Sequence, residues 1–126
     1  MLPLLNRKPR LLVLDDDPSM QRLISTIFKR RGYRVDVVSS GTQAIERINR
    51  TTYGALLLDL MTPTEGGMTV IRHLKASDPK LLRRVVLVTA SPDAIIKNVA
   101  SDVAAVVHKP FAQDALIQTV ERIAES

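Results

Sequence analysis

The chain has 126 residues, a formal net charge of +5 and no cysteine. This length is typical of one domain that buries one hydrophobic core, and the lack of cysteine excludes a disulfide framework. The first apolar residues are too few for a signal peptide, and no uncharged apolar stretch is long enough to span a membrane. We therefore expect a single domain over residues 1–126, with a core from about 10 to 124, in a cytoplasmic protein without membrane contact.

Five short runs, most of them apolar, alternate with segments of helical periodicity. The runs lie at 11–14, 34–38, 55–58, 85–88 and 105–108. Four of them contain almost no polar residues, as is typical of strands that are buried on both faces of a parallel sheet. Only 34–38 alternates charged and apolar residues, which indicates an edge strand. This order predicts a five-stranded parallel sheet between two layers of helices, an α/β three-layer sandwich.

The helices are predicted from their capping signals and apolar stripes. Asp17 is the expected N-cap of the first helix, with Pro18 at its first position and Gly32 beyond its end. The buried stripe of this helix is expected to contain Leu23, Ile24, Ile27 and Phe28. Ser40 and Gln43 form a capping box before the second helix, at 41–49. The remaining helices are expected at 67–75, 92–99 and 113–124.

The basic residues are spread along the sequence, mainly at 7–10, 29–34 and 80–84. Those at 29–31 close the first predicted helix, where cations interact favourably with the carbonyl end of the helix dipole. We therefore expect a solvated basic surface, and a nucleic-acid partner is not expected.

Polar residues follow four of the predicted strands, at the point where each strand ends. They are Asp15 and Asp16, Asp59, Thr89 and Lys109. The carboxyl ends of parallel strands share one edge of the sheet, where such folds bind their ligands. Adjacent carboxylates repel by about 4 kcal/mol at 4 Å and an effective dielectric constant near 20. A divalent cation such as Mg²⁺ relieves that repulsion because it binds carboxylate and water oxygens.

These residue types together suit phosphoryl transfer. A carboxylate held beside a metal can attack phosphorus, and a hydroxyl and an ammonium stabilise the charge on the phosphoryl oxygens. Each residue alone could be a solvated strand end or a helix cap. Their joint placement predicts a site for a divalent metal and a phosphoryl group.

Four motifs in this chain resemble the receiver domain of two-component response regulators. They are Leu-Val-Leu-Asp-Asp-Asp-Pro at 12–18, Leu-Leu-Asp-Leu-Met-Thr-Pro at 57–63, Val-Thr-Ala at 88–90 and Lys-Pro-Phe at 109–111. The resemblance covers about 10–124. It implies a flavodoxin-like, doubly wound (βα)5 fold with strand order 2-1-3-4-5.

The resemblance also implies a role for each site residue. Asp59 would be the phosphoacceptor, Lys109 would pair with the phosphoryl group, and Thr89 would hydrogen-bond to it. The Mg²⁺ ligands would be Asp15, Asp16, Asp59 and the backbone carbonyl of Met61. The peptide bond between Lys109 and Pro110 would be cis.

Three features depart from the family pattern. Val106 stands where receivers usually have an aromatic residue or histidine that couples to the threonine. The loop at 62–67 lacks two Met and one Asp of the usual motif. Only 20 positions separate Thr89 from Lys109, about two fewer than is common, which predicts a shortened or partly melted fourth helix. The phosphorylation chemistry is expected to be intact, whereas the usual output switch is not.

The expected function is that of a signalling domain. A histidine kinase or phosphotransfer protein would phosphorylate Asp59, and phosphorylation would change contacts with an unknown downstream protein. Beyond its own phosphorylation and dephosphorylation the domain would not be an enzyme. The cognate kinase, the phosphoryl lifetime and a homodimeric state stay open.

Two alternatives remain from the sequence. One is a phosphorylation-independent binding module, for which nucleic acid at the basic surface is one candidate partner. The altered loop and Val106 rank this module above the second alternative. The other is a haloacid-dehalogenase-like phosphatase, in which Asp15 would attack phosphorus and Asp17 would be the acid/base. The short chain, which lacks an obvious cap domain and a later acidic pair, argues against the phosphatase.

Overall fold

A computed structural model describes residues 8–60 and 65–126. Its centre is one five-stranded sheet, in which the order β2-β1-β3-β4-β5 and the parallel pairing agree with the prediction. The strands are β1 (Arg10–Leu14), β2 (Arg34–Val38), β3 (Ala55–Leu58), β4 (Val85–Thr89) and β5 (Ala105–His108). Strand β2 lies at an edge of the sheet, as its mixed composition indicated.

Helices follow the strands and cover both faces of the sheet. They are α1 (Pro18–Arg30), α2 (Gly41–Arg50), α3 (Gly67–Ser77), α4 (Asp93–Ile96) and α5 (Gln113–Ala124). The predicted caps are confirmed, since the Asp17 side chain accepts from the Ser19 N–H at 2.9 Å and the Ser40 side chain accepts from the Gln43 N–H at 3.2 Å. Short 3₁₀ turns at Pro79–Arg84 and Ala100–Asp102 complete the chain.

Helix α4 is much shorter than the predicted range 92–99. It contains only four residues, which confirms the shortening expected from the spacing between Thr89 and Lys109. Beyond Ile96 the backbone changes to hydrogen bonds between residues three apart, from Asn98 to Ile95 and from Val99 to Ile96. Such 3₁₀ bonding tightens the chain and ends the α-helix.

The sheet separates two apolar clusters. Successive side chains along a strand point to opposite faces. Leu12 and Leu14 of β1 therefore pack with α2, α3 and α4, whereas Leu11 and Val13 pack with α1 and α5. The two clusters bury most of the large side chains that the sequence pattern assigned to the core. The run at 105–108 was expected to be buried on both faces, but β5 lies at the other edge of the sheet and is only partly buried.

One expected core residue of α1 is not buried. Leu23 is 39% exposed, although Ile24, Ile27 and Phe28 of the same predicted stripe are buried. A helix turns by about 100° per residue, so Leu23 lies to one side of the three that face the sheet. The prediction for Leu23 was wrong because the apolar stripe was drawn too wide.

Across the residues that the structure describes, no helix is both long enough and apolar enough to cross a lipid bilayer.

Candidate functional site

The backbone of the sheet places the site residues together at its carboxyl edge. The Asp59 N–H donates to the Leu14 carbonyl at 3.0 Å, and the Lys109 N–H donates to the Thr89 carbonyl at 2.9 Å. These bonds extend the pairing of β1 with β3 and of β4 with β5 past the strand ends. The sheet itself therefore fixes where these side chains start.

Lys109 joins two carboxylates. Its Nζ lies 2.6 Å from Asp15 Oδ2 and 3.1 Å from Asp59 Oδ2, and the lysine side chain is only 15% exposed. Burial acts to lower the pKa of this ammonium, but the hydrogen bond to Asp15 and the charge of Asp59 outweigh burial and raise the pKa. Lys109 is therefore a fixed cation at this edge.

Thr89 is fully buried and its hydroxyl points at Asp59. It donates to Asp59 Oδ1 at 2.8 Å and accepts from the Ser91 N–H at 3.2 Å. The Ser91 Oγ lies a further 2.9 Å from the Thr89 Oγ1. Ser91 was missed by the sequence reasoning. The only available signal was a hydroxyl residue two positions after Thr89, a spacing that allows a local turn.

Asp15, Asp16 and Asp59 form an acidic cluster in which one ligand atom from each lies within 4.8 Å of the others. Asp15 and Asp59 are buried, while Asp16 is exposed. Carboxylate oxygens of this number, partly open to water, fit a hard cation such as Mg²⁺. The predicted fourth ligand, the carbonyl of Met61, lies outside the described residues.

The start of α3 packs directly on Asp59. The Gly67 N–H donates to the Asp59 carbonyl at 2.7 Å, and a Cβ at Gly67 would lie 2.8 Å from that oxygen. Glycine is required here because the two backbones approach so closely. The sequence showed turn formers in this segment but not this contact.

A cavity of about 370 Å³ opens beside Asp59 and Thr89. The cavity is also lined by Ala90, Ser91, Pro92 and Ile95, so it lies between the end of β4 and the short helix α4. A reacting group could therefore approach Asp59 through this cavity.

The peptide bond between Lys109 and Pro110 is cis, as the resemblance implied.

Comparison with known proteins agrees with this geometry. The sequence family described as the response regulator receiver domain matches residues 11–121. The DNA-binding response regulator MtrA of Mycolicibacterium smegmatis is 30% identical over 115 residues, which cover 90% of this chain and 49% of MtrA. The chain thus spans about half the length of this curated relative.

Solved structures similar to this chain are also receiver domains. The receiver domain of the Francisella response regulator 1452 is 28% identical, with a TM-score of 0.81 over 93% of this chain and 97% of that one. The receiver domain of the sensor histidine kinase PA1611 from Pseudomonas aeruginosa is 25% identical, with a TM-score of 0.83 over 94% and 99% of the two chains. That structure has a magnesium ion coordinated in its active site cleft. The fold, the acidic edge and the family match together show that this chain belongs to the response regulator receiver domain family.

Proposed function

We propose that Asp59 accepts a phosphoryl group in a Mg²⁺-dependent reaction, from a histidine kinase or phosphotransfer protein. Response regulator receiver domains are signalling domains that interact with such kinases and with downstream effectors. The observation that carries the proposal is the placement of the Asp59 carboxylate between the Thr89 hydroxyl and the Lys109 ammonium, at 2.8 and 3.1 Å.

Each of these side chains has a defined part in the transfer. An Asp59 oxygen attacks phosphorus and forms the new O–P bond, while the bond to the donor breaks and its electron pair leaves with the donor. The Lys109 ammonium and the Thr89 hydroxyl then donate to phosphoryl oxygens, where negative charge spreads in the transition state. Both donors are already held at Asp59, so little rearrangement is needed to reach those oxygens.

The proposed Mg²⁺ ligands are Asp15, Asp16, Asp59 and the carbonyl of Met61. Receiver domains bind Mg²⁺ in an acidic active site, and the acidic cluster described above supplies oxygen ligands of the right kind. When bound, the ion would neutralise carboxylate repulsion and the charge of the incoming phosphoryl group.

We also propose that residues 1–126 form one receiver domain and that it works in the cytoplasm.

We propose an altered switch at the face formed by α4, β5 and α5. Val106 is partly buried and packs against the apolar cluster that includes Ile96 of α4. Because valine has no ring to swing inward beside Thr89, and α4 is short, phosphorylation should cause a smaller or differently routed rearrangement there. Amide hydrogen exchange with and without a phosphoryl mimic tests this, and a large change over the whole face would contradict it.

The phosphorylation itself is tested by mass spectrometry. The protein is incubated with Mg²⁺ and a small-molecule phosphodonor, and the expected result is a gain of one phosphoryl group that Asp59→Asn and chelation of Mg²⁺ both abolish. Asp93→Asn is a matched control because Asp93 is exposed and lies outside the acidic cluster. Modification that persists in Asp59→Asn would refute the assignment.

The same preparation separates the alternatives. Family membership favours a receiver over a phosphatase, and steady turnover of a generic phosphate monoester would reverse that preference. A binding activity that is unchanged by Asp59→Asn, in a protein that gains no phosphoryl group from the phosphodonor, would instead favour a phosphorylation-independent module.

A further inference from the structure

The fold gathers at one end of the molecule basic residues that are scattered along the sequence. In a parallel α/β sheet every strand begins, and every preceding helix ends, at the amino edge, opposite the carboxyl edge that holds Asp59. Arg10 and Arg34 begin β1 and β2, Arg30 and Arg50 end α1 and α2, and Arg83 and Arg84 precede β4. We call these six residues the basic edge. The helix dipole accounts for cations at helix ends only, and four of the six lie outside the α-helices.

Three of these arginines surround one concavity. A cavity of about 290 Å³ is lined by Arg10, Arg34 and Arg84, together with Pro9, Thr52, Tyr53, Gly54 and Ala124 and without any acidic side chain. Arg84 is fixed there, since its Nη1 donates to the Gly54 carbonyl at 3.1 Å. Arg10 donates through Nη1 to Asp36 at 3.2 Å. A guanidinium carries five N–H donors, so both keep further donors besides these bonds.

Two carboxylates near the basic edge are paired with cations, whereas three others form the acidic cluster at the opposite end. Glu121 is paired with Arg31 at 2.8 Å, and Asp102 is paired with Lys75 at 3.1 Å. The acidic cluster, by contrast, lies at the carboxyl edge. The domain therefore presents one positive and one negative end, which is a larger charge separation than the formal net charge of +5 suggests.

The remaining surface narrows the class of partner. Leu23, on α1, is the one large hydrophobic side chain exposed within the described residues, so the basic edge offers no apolar centre of the kind that protein interfaces use. Tyr33 and Tyr53 are buried and cannot stack on unpaired bases. Guanidinium groups bind phosphate oxygens in pairs, and this contact needs neither an apolar centre nor a stacking ring.

We propose that the basic edge binds duplex nucleic acid through its backbone phosphates, without reading bases. From the sequence, a nucleic-acid partner was only an alternative, because position along the chain does not reveal which helix ends and strand starts meet in space. The binding is independent of the phosphorylation proposed at Asp59, which lies at the other end of the sheet.

Fluorescence anisotropy with a labelled duplex of about 20 base pairs tests the proposal, since backbone binding by a few cations weakens steeply between about 50 and 200 mM salt. Arg50→Gln combined with Arg83→Gln removes two exposed charges from the basic edge. It should weaken binding by about tenfold or more at low salt and reduce the slope of log K against log salt by about 2. Arg22→Gln combined with Arg72→Gln is the matched control, because it removes the same charge from exposed helix positions elsewhere.

The outcomes are distinct. The proposal is supported if only the Arg50→Gln, Arg83→Gln double variant binds the duplex more weakly. The parent should also bind unrelated duplex sequences equally well, and Asp59→Asn should bind the duplex as tightly as the parent. Equal weakening by both pairs would overturn it, because net charge would then be the cause. Binding to polyglutamate or to anionic lipid vesicles as tight as binding to the duplex would also overturn it. Far-ultraviolet circular dichroism checks that both double variants are folded.

Discussion

Replacing Lys109 by methionine should destabilise the domain strongly in the absence of divalent cations. The ammonium lies between the carboxylates of Asp15 and Asp59, at 2.6 and 3.1 Å, and methionine keeps the length of the side chain without the charge. Both carboxylates are buried. The substitution therefore leaves two buried negative charges facing each other.

The size of the effect follows from the geometry. Ligand oxygens of Asp15 and Asp59 lie within 4.8 Å, which corresponds to a repulsion of at least about 3.5 kcal/mol at an effective dielectric constant of 20. Loss of one partner from a buried ion pair costs about 3 to 5 kcal/mol in other proteins. We expect a loss in this range, out of a total stability of about 5 to 15 kcal/mol for a domain.

The assay is urea unfolding followed by far-ultraviolet circular dichroism, because the chain has no tryptophan. Each variant is measured in chelator and in excess Mg²⁺. We expect Mg²⁺ to stabilise Lys109→Met more than the parent, since the ion replaces the missing positive charge. Adding Asp59→Asn to Lys109→Met should recover roughly half of the loss, because it removes one of the two repelling charges.

Two results would refute this reasoning. One is a Lys109→Met variant whose free energy of unfolding in chelator lies within about 1 kcal/mol of the parent value, a difference that ordinary surface substitutions approach. The other is a double variant that is less stable than Lys109→Met alone. Either result would mean that solvent screens the carboxylates far more than their burial indicates.

Three further predictions concern the same domain. Gly67→Ala should lower stability by about 1 to 3 kcal/mol and slow phosphorylation, because its Cβ would lie 2.8 Å from the Asp59 carbonyl; unfolding and phosphorylation time courses measure both. Thr89→Val should slow phosphorylation by about tenfold or more through loss of one hydrogen-bond donor, and a parent-like rate would contradict that role. Burial and the hydrogen bond to Asp36 raise the pKa of Tyr53 to about 12. The contribution of the neutral phenol to stability is therefore complete below pH 10 and is lost as the pH rises towards 12. Tyr53→Phe should flatten the dependence of stability on pH in this range.

The sequence predicted most of the strands, and the site residues at the carboxyl edge of the sheet, because both depend on local signals. Runs such as 55–58 are short, apolar and followed at once by a charged residue, and a parallel sheet then brings those residues to one edge. Asp15, Asp59, Thr89 and Lys109 meet there as predicted. Their roles in phosphorylation remain predictions.

Other features depend on contacts that a linear pattern does not contain. The end of α4 at Ile96 reflects how the chain must turn to reach β5 within a fixed number of residues, so the sequence indicated shortening but not the position of the break. The exposure of Leu23 depends on how α1 is rotated against the sheet. The approach of Gly67 to Asp59 involves backbone atoms, and its only signal in the sequence is a pair of adjacent glycines.

Among the residues that the structure describes, the sheet divides the interior into two compartments that share no side chain. Residues of α1 and α5 fill one, and residues of α2, α3 and α4 fill the other. Substitutions in the first compartment can therefore change the anchoring of α1 and α5 while leaving the packing beneath α4 nearly intact. The face formed by α4, β5 and α5 draws on both compartments, so substitutions beneath α5 can change one half of that face without repacking the other half.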